Sequence, residues 1–167
     1  IAGTLNLLLV SVHPYDAPVA YAVAILYAVL LVWLRPSPPP SSSVKPLLIF
    51  LACPLPLIAY NVYLTLFVPV YREFAKEGLV ALPWPPLDYL LGYGLLVPLA
   101  VIGLKEIFRE RNTAWLFPAA WVLTVPILML CPIPARRKLM EGYHIFLCLI
   151  AARGVLSLKP ALGPYWR

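Results

Sequence analysis

Long stretches without a single charge constrain this chain more than any other feature. Ala17 to Leu34 runs 18 residues without Asp, Glu, Lys or Arg, Pro46 to Tyr71 runs 26, Tyr89 to Leu104 runs 16 and Asn112 to Ala135 runs 24. A helix needs about 20 mostly apolar residues to cross the hydrocarbon core of a bilayer. Consecutive runs of that size predict an all-α, polytopic transmembrane helix bundle of about five to six membrane helices, and they exclude an ordinary soluble core. Composition agrees: only 12% of residues are charged, against about 25% in a soluble domain.

Helices are predicted over 1–12, 17–34, 46–66, 87–104, 113–131 and 143–158. The chain opens inside an apolar stretch, Ile1 to Val12, with no charged region before it. That is not a signal peptide. The expectation is the tail of a membrane helix, so 1–167 reads as a single transmembrane domain from a longer chain.

The connections alternate between two faces. One face takes Arg35, Lys45, Lys105, Arg109, Arg111, Arg153, Lys159 and Arg167, and the other takes Arg72, Lys76, Arg136, Arg137 and Lys138: eight Lys/Arg against five. The positive-inside bias makes the first face cytoplasmic. The outer connections are then 13–16, 67–86 and 132–142. A basic triplet, Arg136-Arg137-Lys138, thus stands on the face where such clusters are unusual, which makes it a candidate phosphate or lipid-headgroup site.

Three connections have their own character. Pro36 to Ser43 is low in complexity and reads as a solvated linker with polyproline character. Lys105 to Arg111 reads as a short charged turn that orients the chain. In 67–86, Val70, Tyr71, Phe74 and Gly78 recur at helical spacing while Arg72, Glu73, Lys76 and Glu77 fill the other face. That pattern predicts a short helix lying in the interface plane, ended by Pro83-Trp84-Pro85-Pro86. It either braces the bundle or lids an outer cavity. Prolines at 54, 56, 98, 118, 126 and 132 fall within or beside the apolar runs; in a membrane they mark kinks or broken helices lining a cavity.

Several chemistries are excluded. No phosphate-cradling glycine loop, HExxH motif, paired-cysteine metal site or nucleophile elbow is present. Cys53, Cys131 and Cys148 are scattered in apolar runs, which suits buried structural thiols and neither disulfides nor zinc. The net charge of +6 fits anionic lipid; no basic run interleaved with aromatics suits nucleic acid. Neither a metal nor a cofactor is expected.

Two polar clusters remain. In His13-Pro14-Tyr15-Asp16, His13 and Asp16 form an acid–base or metal-holding pair, or Asp16 merely caps the next helix, with Pro18 just inside it. In Ala135-Arg-Arg-Lys-Leu-Met-Glu-Gly-Tyr-His144, Arg136 and Arg137 offer guanidinium forks that match phosphate oxygens. Glu141 and His144, three apart on one helix face, are supporting candidates. The alternative is a basic anchor on anionic lipid. Arg153, the lone charge in the last helix, either snorkels to the interface or pairs with a carboxylate outside this chain.

The segment Pro85-Pro86-Leu-Asp-Tyr-Leu-Leu-Gly-Tyr-Gly94, taken with Ala135 to His144, resembles the C-terminal half of bacterial polytopic glycosyltransferases of the C-type superfamily. These are similar to the dolichyl-phosphate-mannose-protein mannosyltransferases. The resemblance implies hexosyl or pentosyl transfer from a polyprenyl-phosphate sugar donor on the outer face of the bacterial plasma membrane. It puts the catalytic aspartate in a first outer loop that nothing here matches, so Asp16 does not take that role. Arg136, Arg137 and Lys138 would then bind the lipid phosphate, with membrane lipid and the donor as partners. A transporter or lipid flippase and a non-catalytic membrane scaffold are the alternative readings.

Overall fold

The computed structural model describes residues 1–34, 41–80, 86–131, 139–140 and 142–158. Among the described residues all regular structure is helical. The α-helices are α1 (Ala2–Val12), α2 (Ala17–Leu34), α3 (Ser41–Ala52), α4 (Leu55–Phe67), α5 (Pro69–Val80), α6 (Pro86–Tyr93), α7 (Leu96–Glu110), α8 (Leu116–Leu130) and α9 (Tyr143–Leu158). Three stretches are long and apolar enough to cross a membrane: Ala17–Leu34, Lys45–Phe67 and Thr113–Leu130. Ala2–Val12 and Tyr143–Leu158 are apolar but shorter.

Proline punctuates this fold more than it disrupts it. Pro69 and Pro86 open α5 and α6, Pro18 and Pro56 stand second in α2 and α4, and Pro98 and Pro118 stand third in α7 and α8. The first four N–H groups of a helix have no partner within it, so a missing donor there costs nothing. Pro46 and Pro126 lie inside α3 and α8.

The structure corrects three boundaries. The predicted helix 46–66 is broken at Cys53-Pro54, between α3 and α4. The predicted helix 87–104 is broken after Tyr93, where Gly94 takes a left-handed φ of +47°. In the other direction, α7 runs on to Glu110, so most of the expected charged turn 105–111 is helix. Its charges suit that state: Glu106 pairs with Arg109 one turn on, and Ile107 is fully buried between them. Helix α7 ends where Arg111 adopts φ 52°, ψ 37°, its N–H closing on the carbonyls of Ile107 and Phe108.

Helices α2, α7, α8 and α9 share one core built from Val23, Leu30, Ala100, Ile107, Ala120, Val125, Leu147 and Ile150. The closest pair is α7 with α9. A Cβ added at Gly103 would fall onto the carbonyl oxygen of Ile150, and one at Gly154 onto that of Leu99. Backbone lies on backbone there, as in small-residue crossings of membrane helices. Tyr93, just ahead of α7, meets Tyr143 at the head of α9 with ring centres 5.5 Å apart. Glu110 at the tail of α7 pairs with Arg153 toward the tail of α9, so the two helices run parallel. Arg153 therefore finds its carboxylate inside this chain.

Ring contacts fix the two ends. Trp33 at the tail of α2 meets Phe108 near the tail of α7, 6.2 Å between centres. Tyr21, early in α2, bonds to Leu51, late in α3, so α3 starts where α2 finishes. One end thus holds the tails of α2, α7 and α9 and the head of α3, with Lys45, Arg109 and Arg111. The opposite end holds the turn at 13–16 and the heads of α7 and α9.

Candidate functional site

Of the predicted phosphate clamp, Arg136, Arg137, Lys138 and the supporting Glu141 lie outside the described residues. Their surroundings are described. Helix α8 stops at Leu130, and Cys131 is extended. The chain continues at Leu139, a fully buried core residue. Gly142 then takes φ +76°, a left-handed value that glycine adopts without Cβ strain. It turns the chain into α9, where Tyr143 is buried against Tyr93 and His144 is exposed.

His13 and Asp16 stand at the same end of the bundle. His13 is exposed between α1 and a short 3-10 turn, Pro14–Asp16, and its carbonyl accepts from the Asp16 N–H at 3.0 Å. Asp16 immediately precedes α2, where a carboxylate complements the helix dipole. Shared position at one end is what links these residues with His144. No group of three or more His, Cys, Asp or Glu close enough to hold a metal occurs among the described residues.

The best-built polar feature was not singled out in sequence. Pro54 has no N–H, so the Phe50 carbonyl four residues back loses its helical partner. The Asn6 amide donates to that carbonyl at 2.9 Å. The Leu51 carbonyl, at the same break, accepts from the Tyr21 hydroxyl at 2.6 Å. The freed Phe50 carbonyl would otherwise face an apolar interior without water, at a cost of several kcal/mol. Asn6 is only 2% exposed. Gly3 lets α1 come close enough: a Cβ there would stand 3.0 Å from the Ile49 side chain and 3.2 Å from Cys53. A lone Asn inside an apolar run, with Pro54 elsewhere, was the available signal; their pairing across 44 residues was not.

Beside the break lies an open groove of about 590 Å³, lined by Leu7, Leu8, Ser11, Cys53, Pro56, Leu57 and Tyr60. Its walls are largely apolar. Ser11 bonds to the Leu8 carbonyl at 2.7 Å, and Asn6 and Tyr21 close the break. The groove therefore suits a hydrocarbon chain. Ser11 is two residues before His13, so the groove reaches toward the polar end.

Helix α4 continues from this groove with no buried residue. Two of its polar side chains bond within the helix: Asn61 donates to the Leu57 carbonyl and Thr65 to that of Asn61, both at 2.9 Å. A helix so arranged can face hydrocarbon on nearly every side. Helix α5 follows after one extended residue, with Val70 and Tyr71 exposed and a 2.8 Å ion pair between Glu73 and Lys76. The Lys76 hydrogen bond, then its charge, holds the Glu73 carboxyl below the usual glutamate range. No protein-family model, curated protein or solved structure matches this chain.

Proposed function

We propose that this chain is part of an integral, multi-pass membrane glycosyltransferase, with five to six membrane segments, that takes its sugar from a polyprenyl-phosphate donor on the outer face. The observation that carries the reading is the apolar groove at the α3–α4 break. Its walls fit a prenyl chain, and it rises toward the end that holds His13, Asp16 and His144. The basic run Arg136-Arg137-Lys138 follows α8 in sequence on the way to His144, and its guanidinium forks match a lipid-linked phosphate. In this reading the prenyl chain lies in the groove and the phosphate is held by Arg136 and Arg137, with Lys138 as a supporting point charge.

The test is donor-lipid affinity on properly inserted protein. A charged hydrogen bond contributes about 1.5–3 kcal/mol, so Arg137→Ala is expected to weaken binding by about ten- to a hundredfold. Arg137→Lys is expected to recover part of it, because lysine keeps the charge and loses the fork. Equal affinity in all three proteins would favour a plain membrane anchor. A second reading, a lipid flippase or transporter, is favoured by two helix interruptions, at 53–54 and 94–95, since such segments line transport sites. Movement of a labelled prenyl phosphate between leaflets, without sugar transfer, would select it.

A further inference from the structure

The chain's charge is divided unevenly between its two ends. Among the described residues, the segments at the His13 end hold Arg72 and Lys76 against Asp16, Glu73, Glu77 and Asp88. The segments at the other end hold Lys45, Lys105, Arg109, Arg111 and Arg153 against only Glu106 and Glu110. The excess of positive charge among the described residues therefore belongs to the second end. There both carboxylates are already committed, Glu106 to Arg109 and Glu110 to Arg153. Lys105 and Arg111 are exposed and have no carboxylate partner among the described residues.

Arg111 carries a second, independent mark. It is the one non-glycine with positive φ among the described residues. The left-handed residue that ends a helix is usually glycine or asparagine, because a Cβ is strained there. An arginine in that place keeps a strained backbone and projects a guanidinium from the tip of α7. The tip is flanked by aromatics: Trp33, widely exposed, meets Phe108, and Trp115 follows in the next turn. Tryptophan favours the headgroup level of a bilayer.

We propose that this end is a binding site for the phosphate of an anionic phospholipid, with Arg111 as its main contact and Lys105, six residues earlier in α7, adding positive charge to the same end of the bundle. The occupant is a headgroup of the adjoining leaflet. The aromatic residues beside Arg111 and the apolar helix surfaces leading to it suit an amphiphile seated in the membrane better than a free ion. The site lies at the opposite end from the proposed donor site and does not depend on it.

The test compares thermal unfolding of the chain in nanodiscs of pure phosphatidylcholine and of an equimolar mixture with phosphatidylglycerol. Native mass spectrometry of the released complexes counts the phosphatidylglycerol retained. Wild type is expected to be stabilised by phosphatidylglycerol. Each cation removed near the surface is expected to lower the preference about fivefold. Arg111→Gly is the decisive variant, because glycine accepts the left-handed turn and the protein stays folded. It should be as stable as wild type in phosphatidylcholine and should lose most of the gain from phosphatidylglycerol. Arg111→Lys should keep part of it. An undiminished preference in Arg111→Gly and in Lys105→Gln would overturn the proposal. So would an equal gain from inorganic phosphate added to phosphatidylcholine discs, which would mark a free-anion site.

Discussion

At the residue scale, the helix break at Cys53-Pro54 depends on two side chains from other helices. Asn6 occupies the Phe50 carbonyl that Pro54 has freed, and Tyr21 bonds to the neighbouring Leu51 carbonyl. Asn6→Leu leaves the part-buried Phe50 carbonyl without a donor, and a fully buried unsatisfied group costs about 1–3 kcal/mol. Tyr21→Phe removes a single hydroxyl bond, and interhelical bonds of this kind average about 0.6 kcal/mol in membrane proteins. Thermal unfolding should therefore show a larger loss for Asn6→Leu than for Tyr21→Phe; the reverse order would mean that Asn6 is not the group holding the break. The Glu73–Lys76 pair gives a test of another kind. A lowered carboxyl pKa means that the pair adds to α5 above the ordinary glutamate value of about 4.3 and that this contribution fades as pH falls through the lowered folded value. Carboxyl NMR titration should place the Glu73 midpoint below that of an ordinary glutamate, and Lys76→Gln should bring it back up.

At the element scale, the parallel crossing of α7 and α9 turns on Gly103 and Gly154. A methyl group at either position meets a backbone carbonyl of the facing helix, and backbone cannot rotate away as a side chain can. Overpacking a close contact costs about 1–3 kcal/mol. Gly103→Ala and Gly154→Ala should each fall in or above that range in a detergent unfolding assay, while Gly92→Ala, where added bulk meets nothing, should cost far less. Equal effects at all three would remove the crossing as the reason. The extension of α7 to Glu110 belongs to this scale too. Lys105 to Arg111 reads as a turn if charge alone is counted. Buried Ile107, the Glu106–Arg109 pair and the reach of Glu110 to Arg153 make it helix.

At the scale of the molecule, the arrangement of ends leads to a topology test. In a background without Cys53, Cys131 and Cys148, a single cysteine at position 138 is expected to react with an impermeant reagent from outside, and one at position 111 only after the membrane is opened. Labelling of both from the same side would undo the assignment of the two faces and with it the argument for an outer phosphate site. Local sequence pattern was enough to predict helices, roughly where the apolar ones lie and where their charges collect. Those follow from run length, from the scarcity of charge and from proline at helix starts, all local properties of the chain. The span 17–34 and the helix 143–158 were legible to the residue because charge and turn residues bound them on both sides. Packing between helices makes the run 46–66 two helices, brings Asn6 and Tyr21 to the gap between them, joins Arg153 to Glu110 and sets Gly103 against Gly154. Each of these joins residues far apart in sequence, and each depends on how the helices are laid side by side, which no periodicity within one helix records.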